Sequence, residues 1–323
     1  MAVTHGGNIF AVAETNGIAW QQVLDFSASI NPLGPSPAAR EAILCALDRM
    51  VHYPERTSHP LRERLAAEWG VAAQNIIVGN GATELLFDWC RHYPDGSIAA
   101  PAFSEFHRAW PKANYFDLTD RDTWPATGPV VITRPANPTG YIAALESVQH
   151  YASGRRDAVL VDESFLDFTS AASVANLAIP NLFVLRSLTK FWALPGLRIG
   201  ALVGNLDAIA AQRPPWPVNA LAEAAALASL ADREHAQKTR AFVEREREWL
   251  RGQLQGLPSE ANYLTISTPR AGELVAYAAA RNVLIRDCGN WPGWDFEGVR
   301  VAVRKRWENE ILVQLIQEFA CDS

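Results

Sequence analysis

Four cysteines in 323 residues, Cys45, Cys90, Cys288 and Cys321, stand far apart with no Cys-x-x-Cys pair. That scarcity argues against a zinc site or a disulfide framework and fits a reducing cytoplasm; the thiols read as packed or half-exposed, and no metal is expected. A basic surplus is missing too. The 29 Lys and Arg against 35 Asp and Glu leave a net charge of −6, so neither nucleic acid nor an anionic membrane is an expected partner, and any anion site must be built locally. No apolar run reaches about 18 residues, and Met1 to Asn8 has neither a basic start nor an apolar core, so neither a membrane span nor a signal peptide is expected. Internal repeats and low-complexity tracts are absent. What remains, 49% hydrophobic and 20% charged residues, is ordinary for a soluble enzyme. The length suffices for one large domain or two unequal ones. Eleven tryptophans are scattered and read as core packing or an interface.

Between residues 60 and 205, short β-branched or apolar runs alternate with amphipathic stretches, the pattern of a mostly parallel sheet covered by helices. Expected strands are Ile76 to Gly79, Ser97 to Ala100, Val130 to Thr133, Ala158 to Val161, Leu182 to Arg186 and Ile199 to Val203. Gly, Pro, Asn or Asp follows each, at the strand ends where α/β folds present ligand-binding residues. After Pro214-Pro215-Trp216-Pro217 come an Ala-rich helical run from Asn219 to Leu230 and a charged helix from Arg233 to Leu254. Shorter strand-like pieces follow, then an amphipathic helix from Trp307 to Phe319. The reading is an α/β protein with a large domain over 45–213 and a smaller α+β domain formed by 1–44 with 214–323.

Several segments carry chemistry. In Ser187-Leu188-Thr189-Lys190-Phe191-Trp192-Ala193-Leu194-Pro195-Gly196-Leu197-Arg198, an apolar run surrounds a lysine and ends on an arginine. Desolvation lets such an amine lose its proton near neutral pH, and a nearby guanidinium can grip a phosphate bidentately. The same stretch also reads as a strand ending in a loop with one solvated lysine. Asn80-Gly81-Ala82-Thr83-Glu84 is a strand-to-helix turn, which offers backbone N–H groups to a phosphate or is an ordinary helix start. Asp162 ends an apolar strand, where a buried carboxylate needs a cationic partner or caps a turn. Asn137-Pro138-Thr139-Gly140 by itself is a turn, and Phe103 in Pro101-Ala102-Phe103-Ser104-Glu105-Phe106 reads as core or as a stacking platform.

In order and spacing from residue 80 to residue 198, these segments resemble the signature of fold-type I pyridoxal-phosphate enzymes. The resemblance covers essentially the whole chain and is closest to the branch of histidinol-phosphate aminotransferases and threonine-phosphate decarboxylases. It implies pyridoxal 5'-phosphate as cofactor, with Lys190 bonded to it, Asp162 facing the ring nitrogen, Asn137 the phenolic oxygen and Phe103 the ring face. Gly81, Ala82, Thr83, Ser187 and Arg198 would hold its phosphate. Tyr53 matches a tyrosine that reaches the neighbouring subunit's cofactor, which implies a homodimer with composite sites. Two positions depart from the family pattern: Arg134 stands where an asparagine is common, and Phe165 where many relatives have a tyrosine.

Arg286 and Arg300 lie on strand-like pieces and match arginines that bind the substrate's anionic groups; each alone also reads as a surface ion pair. Arg304, Lys305 and Arg306 read as a solvated basic run. The segments His5-Gly6-Gly7-Asn8 and Asp25 to Gly34 look like the opening of threonine-phosphate decarboxylases of cobalamin synthesis, and place His5, Asn8 and Asn31 among the expected substrate contacts. A glycine pair there lets backbone approach an anion closely. The resemblance thus implies decarboxylation of a phosphorylated amino acid, O-phospho-L-threonine, in the cytoplasm. An aminotransferase acting on histidinol phosphate would share every cofactor residue, and a non-catalytic cofactor-binding protein is the third reading.

Overall fold

The computed structural model describes residues 6–289 and 291–321. Its strands, in chain order, are β1 (Leu24–Asp25), β2 (Ile76–Gly79), β3 (Ser97–Ala100), β4 (Asn114–Asp117), β5 (Val130–Thr133), β6 (Val159–Asp162), β7 (Leu182–Ser187), β8 (Gly200–Val203), β9 (Tyr263–Ser267), β10 (Val283–Leu284), β11 (Arg286–Asp287) and β12 (Gly298–Ala302). Seven form the main sheet in the order β2-β8-β7-β6-β5-β3-β4. Pairings from β4 to β7 are parallel, whereas β8 runs against both β7 and β2. All six expected strands form, within a residue at each end; the edge strand β4 was not anticipated, because Asn114 and Asp117 are exposed and leave no apolar run to read.

The sheet is buried on both faces, which is why its strands read as unbroken apolar runs. Val130, Ile132, Val159, Val161, Val184 and Ala201 face one core with Leu61, Leu65 and Trp69 of helix His59–Trp69. Ile98, Val131, Leu160, Phe183, Leu185 and Leu202 face the other, against Leu85, Leu86 and Trp89 of helix Ala82–His92. Helix Ala220–Ala231 starts where Asn219 accepts a capping bond from Ala222 N (2.8 Å), and helix Arg233–Leu254 where Asp232 accepts from His235 N (3.0 Å).

The smaller unit is the antiparallel sheet β11-β12-β9 packed on Leu250, Leu274, Leu312, Leu315 and Phe319. The N-terminal segment joins it, since Phe26 lies in this core and β1 pairs with β10, Leu24 opposite Val283. Val218, Ala222, Ala225, Ala226, Leu230, Ala236 and Val243 instead belong to the core of the large sheet, as does Ala39 of helix Pro37–Cys45. Packing therefore moves the division from 213/214 into helix Arg233–Leu254, and returns the chain around residue 39 to the large unit.

Candidate active site

The carboxyl ends of the parallel strands and the amino end of the reversed β8 meet at one edge of the sheet, above a cavity of about 500 Å³. Because β8 runs backwards, Arg198, just before its first residue, arrives beside the residues that follow β2, β6 and β7. Ten of the expected site residues line this cavity: Ala82, Thr83, Phe103, Asn137, Asp162, Ser187, Lys190, Arg198, Arg286 and Arg300.

Lys190 follows β7 in a tight turn whose carbonyl accepts from Asn31 N (3.1 Å) and Ala193 N (3.3 Å). Phe191, Leu194 and Ile199 are buried around it. Burial lowers its pKa to about 8, the Arg300 and Arg198 guanidiniums push the same way, and Asp162 opposes them. Asp162, at the end of β6, is buried, which drives its carboxyl upward; Ser164 counters this by donating from N (2.9 Å) and Oγ (2.5 Å) to Oδ1. A carboxylate sequestered in this way and bonded on one oxygen is arranged to meet a cation in the cavity.

Arg300, in β12, donates from Nη1 to Asn137 Oδ1 (2.6 Å) and from Nη2 to Ser27 O (2.5 Å). This one side chain thus ties the small unit to the Asn-Pro-Thr-Gly turn and to the N-terminal segment, and it leaves the Asn137 amide with its N–H donors. Arg286 in β11 sits directly opposite Arg300 in the register and lies over the Trp291 ring, 5.7 Å from its centroid. Arg134 has a structural place away from the cavity. It donates to Ala143 O (2.8 Å) and Ala172 O (2.8 Å) and pairs with Glu163 (3.4 Å), which also pairs with Arg186 (3.1 Å). Phe165 lines the cavity and packs edge-on against Tyr263, whose hydroxyl donates to Ala136 O (2.9 Å).

The turn after β2 brings its backbone close to Arg198. Gly81 has φ 88° and ψ 159°, a conformation essentially confined to glycine, and a Cβ there would run into the Arg198 guanidinium, 2.9 Å from Cζ. Gly200 is equally constrained, because its Cβ would sit 2.9 Å from Ala82 Cα. Backbone N–H groups at the start of helix Ala82–His92, the Arg198 guanidinium and the Ser187 hydroxyl, bonded to Thr189 Oγ1 at 2.7 Å, make a cradle that could hold a phosphate.

Other expected residues lie elsewhere. Asn31 is buried and does not line the cavity: its amide donates to Phe191 O (2.9 Å) and Thr239 Oγ1 (3.0 Å), and its Oδ1 accepts from Leu33 N (2.9 Å), so it braces the lysine turn. Asn8 is exposed and outside the cavity, and His5 lies outside the described residues, although Gly6 does reach the lining. Tyr53 is 81% exposed and stacked on Trp216. Arg304 and Arg306 are ion-paired with Glu308 (2.6 Å) and Glu246 (2.9 Å) rather than solvated, and Arg304 also donates to Asp25 O (3.1 Å). Sequence reasoning gave no role to Ser164, Thr189, Trp291, Glu105 or Arg108, all of which line the cavity. Ser164, two residues past Asp162, was the one with a readable signal, as a short hydroxyl placed to bond the preceding carboxylate.

A neutralisable lysine, a buried carboxylate, an asparagine amide and a glycine-lined anion cradle around one cavity fit pyridoxal phosphate, and with the sheet order they define a fold-type I pyridoxal-phosphate-dependent enzyme. Residues 115–316 match the family described as aminotransferase class I and II, and the chain belongs to that family. It is 33% identical to a threonine-phosphate decarboxylase of Salmonella typhimurium, over 97% of this chain and 95% of that protein. It is 31% identical to a histidinol-phosphate aminotransferase of Methanocella arvoryzae, over 97% and 94% respectively. The structure of histidinol-phosphate aminotransferase from Sinorhizobium meliloti in complex with pyridoxal-5'-phosphate superposes with a TM-score of 0.88 at 19% identity, covering 98% of this chain and 96% of that one.

Proposed function

We propose that the protein decarboxylates O-phospho-L-threonine to 1-aminopropan-2-ol phosphate, in cytoplasmic synthesis of the cobalamin nucleotide loop. The observation that carries this reading is the pair of buried arginines, Arg286 and Arg300, set opposite each other on the cavity wall. Two guanidiniums in one pocket suit a substrate with two anionic groups, a carboxylate and a phosphate ester. The likeness to the Salmonella typhimurium decarboxylase supports the same choice.

Bound pyridoxal phosphate supplies the conjugated electron sink that takes up the electron pair of the breaking bond. Lys190, with an appreciable neutral fraction near pH 8, would bond the cofactor's aldehyde carbon. Its amine would also be the group placed to return a proton to the substrate's α-carbon. Asp162 would accept a hydrogen bond from the protonated ring nitrogen, which compensates its burial. Asn137, its Oδ1 already taken by Arg300, would donate to the phenolic oxygen. Phe103 would stack on the ring, while Gly81, Ala82, Thr83, Ser187 and Arg198 would hold the phosphate. Arg286 and Arg300 would grip the substrate's anionic groups and so fix how its α-carbon is presented for loss of carbon dioxide.

The proposed partner is a second copy of the chain. Leu44, Leu47, Met50, Val51 and Tyr53 form an exposed apolar run, Val51 being 82% and Met50 63% accessible, which a homodimer would cover. The alternative, an aminotransferase, draws support from the Methanocella arvoryzae relative. The test is carbon dioxide release from O-phospho-L-threonine by the cofactor-loaded protein, with histidinol phosphate plus 2-oxoglutarate run in parallel for glutamate formation. Steady carbon dioxide without glutamate is the expected result; glutamate without carbon dioxide would overturn it.

A further inference from the structure

Taking its substrate class from the decarboxylase reading, we infer that Arg108 is a specificity-determining residue that recognises the phosphate end of the substrate, and that Glu105 is the residue that positions it. Both side chains line the cavity, three residues apart on the short helix Ser104–Ala109 that begins directly after Phe103. Glu105 is buried, and both its carboxylate oxygens accept from Arg108 Nη1, at 3.0 and 2.8 Å. An ordinary surface pair leaves its acid in water; here the acid is taken inside, which holds the guanidinium against the cavity at a cost that an exposed pair avoids. Arg108 itself is 55% accessible, and its Nε and Nη2 make no hydrogen bond among the described residues. Those donors are available to a ligand.

Charge bookkeeping at the cavity points the same way. The lining carries five cationic side chains, Lys190, Arg108, Arg198, Arg286 and Arg300, against two anionic ones, Asp162 and Glu105. Lys190, Arg198 and Asp162 would be engaged by the cofactor, and Arg300 already spends one N–H of each Nη on Asn137 and Ser27. Among the described lining residues, the cationic groups left to meet a carboxylate and a phosphate ester of nearly two charges are what remains of Arg300, with Arg286 and Arg108. Arg108 is the member of that set at the solvent side, where the terminal phosphate of a substrate anchored at its α-carbon would lie.

The test compares wild type with Arg108→Gln, Arg108→Lys and Glu105→Gln, each cofactor-loaded and checked for an unchanged circular dichroism spectrum. Calorimetric binding of O-phospho-L-threonine and of L-threonine is measured alongside carbon dioxide release. Loss of one charge-assisted, part-exposed contact should weaken O-phospho-L-threonine about tenfold in Arg108→Gln and leave L-threonine unchanged. Arg108→Lys should recover part of that loss, and Glu105→Gln should weaken the phosphorylated ligand by a smaller factor, as KM rather than kcat. Equal weakening of both ligands, no weakening of either, or failure of wild type to bind O-phospho-L-threonine would overturn the inference. Phosphate-selective weakening in a protein that releases no carbon dioxide would instead retain Arg108 and sink the decarboxylase reading.

Discussion

Gly81→Ala separates two effects that one small side chain would impose on the phosphate cradle. The backbone at 81 sits at φ 88° and ψ 159°, where an L-residue is strained by about 1–3 kcal/mol whether or not cofactor is bound. For a chain of this size that strain should lower the melting temperature of the cofactor-free protein by roughly 2–4 °C. The new Cβ also meets Arg198, with Cζ at 2.9 Å. Arg198 is exposed and, among the described residues, its guanidinium hydrogen-bonds only to Pro195 O, at 3.3 Å, so the guanidinium would give way rather than the backbone. Displacing it removes a charge-assisted contact to the cofactor phosphate, about 1.5 kcal/mol at the lower end of the usual range because of solvent exposure, or roughly tenfold in Kd. Apo-protein melting reads the first effect and equilibrium dialysis of pyridoxal phosphate the second. In an Arg198→Gln background Gly81→Ala should still lower the melting temperature but should no longer weaken cofactor binding. If Gly81→Ala weakens binding equally in both backgrounds, Arg198 is not the phosphate ligand and the cradle has been misread.

Lys190→Ala should abolish both turnover and the visible absorbance band of the lysine-bound cofactor; appreciable turnover would remove Lys190 from its role. The Lys190 pKa of about 8 means that the ammonium predominates below it and the nucleophilic amine above. The rate constant for cofactor capture by the apo-protein should therefore rise about tenfold per pH unit below 8 and level off beyond it, as stopped-flow absorbance would record. A rate still climbing towards pH 10 would mean that the lysine is not desolvated. Glu163→Ala would leave the buried Arg134 without a carboxylate partner and Arg186 with Asp167 alone, and should cost about 3 kcal/mol in denaturant unfolding of the apo-protein. Val51→Glu, in the exposed apolar run, should shift the protein towards monomer in sedimentation and weaken cofactor retention, and an unchanged sedimentation coefficient would move the subunit contact elsewhere.

Much of what lines the cavity was legible because its parts are local. Strand-end positions are set by runs of apolar residues, so the ends of β2, β6 and β7 and the residues beyond them could be read directly. The orientation of β8 was not readable, because four buried residues look alike in either direction; yet that reversal is what brings Arg198 to the cradle. Asn31 was misjudged for a similar reason. In the sequence it is one polar residue in a segment that resembles a substrate-binding opening, and only the bonds to Phe191 and Thr239, far along the chain, reveal a brace. The boundary at 214 followed a proline-rich change of composition, but composition does not say which core a helix covers, and the small alanines of Ala220–Ala231 pack close to the large sheet's layer.

Arg134 shows how a departure from a family pattern can be absorbed without touching the chemistry. The side chain turns away from the cavity and feeds Ala143, Ala172 and Glu163. Glu163 in turn holds Arg186, Ser173 Oγ and Val174 N, so every member of this buried cluster has partners on more than one element. Two guanidiniums around one carboxylate leave a positive excess, which Asp167 takes up at Arg186. Glu163 directly follows Asp162, the last residue of β6, yet Asp162 lines the cavity while Glu163, Arg134 and Arg186 do not. Asp162 can therefore answer to the cavity while Glu163 answers to the scaffold, and the arginine at 134 belongs to the scaffold. Asn137, three residues on, is left in the cavity wall, where Arg300 fixes the orientation of its amide.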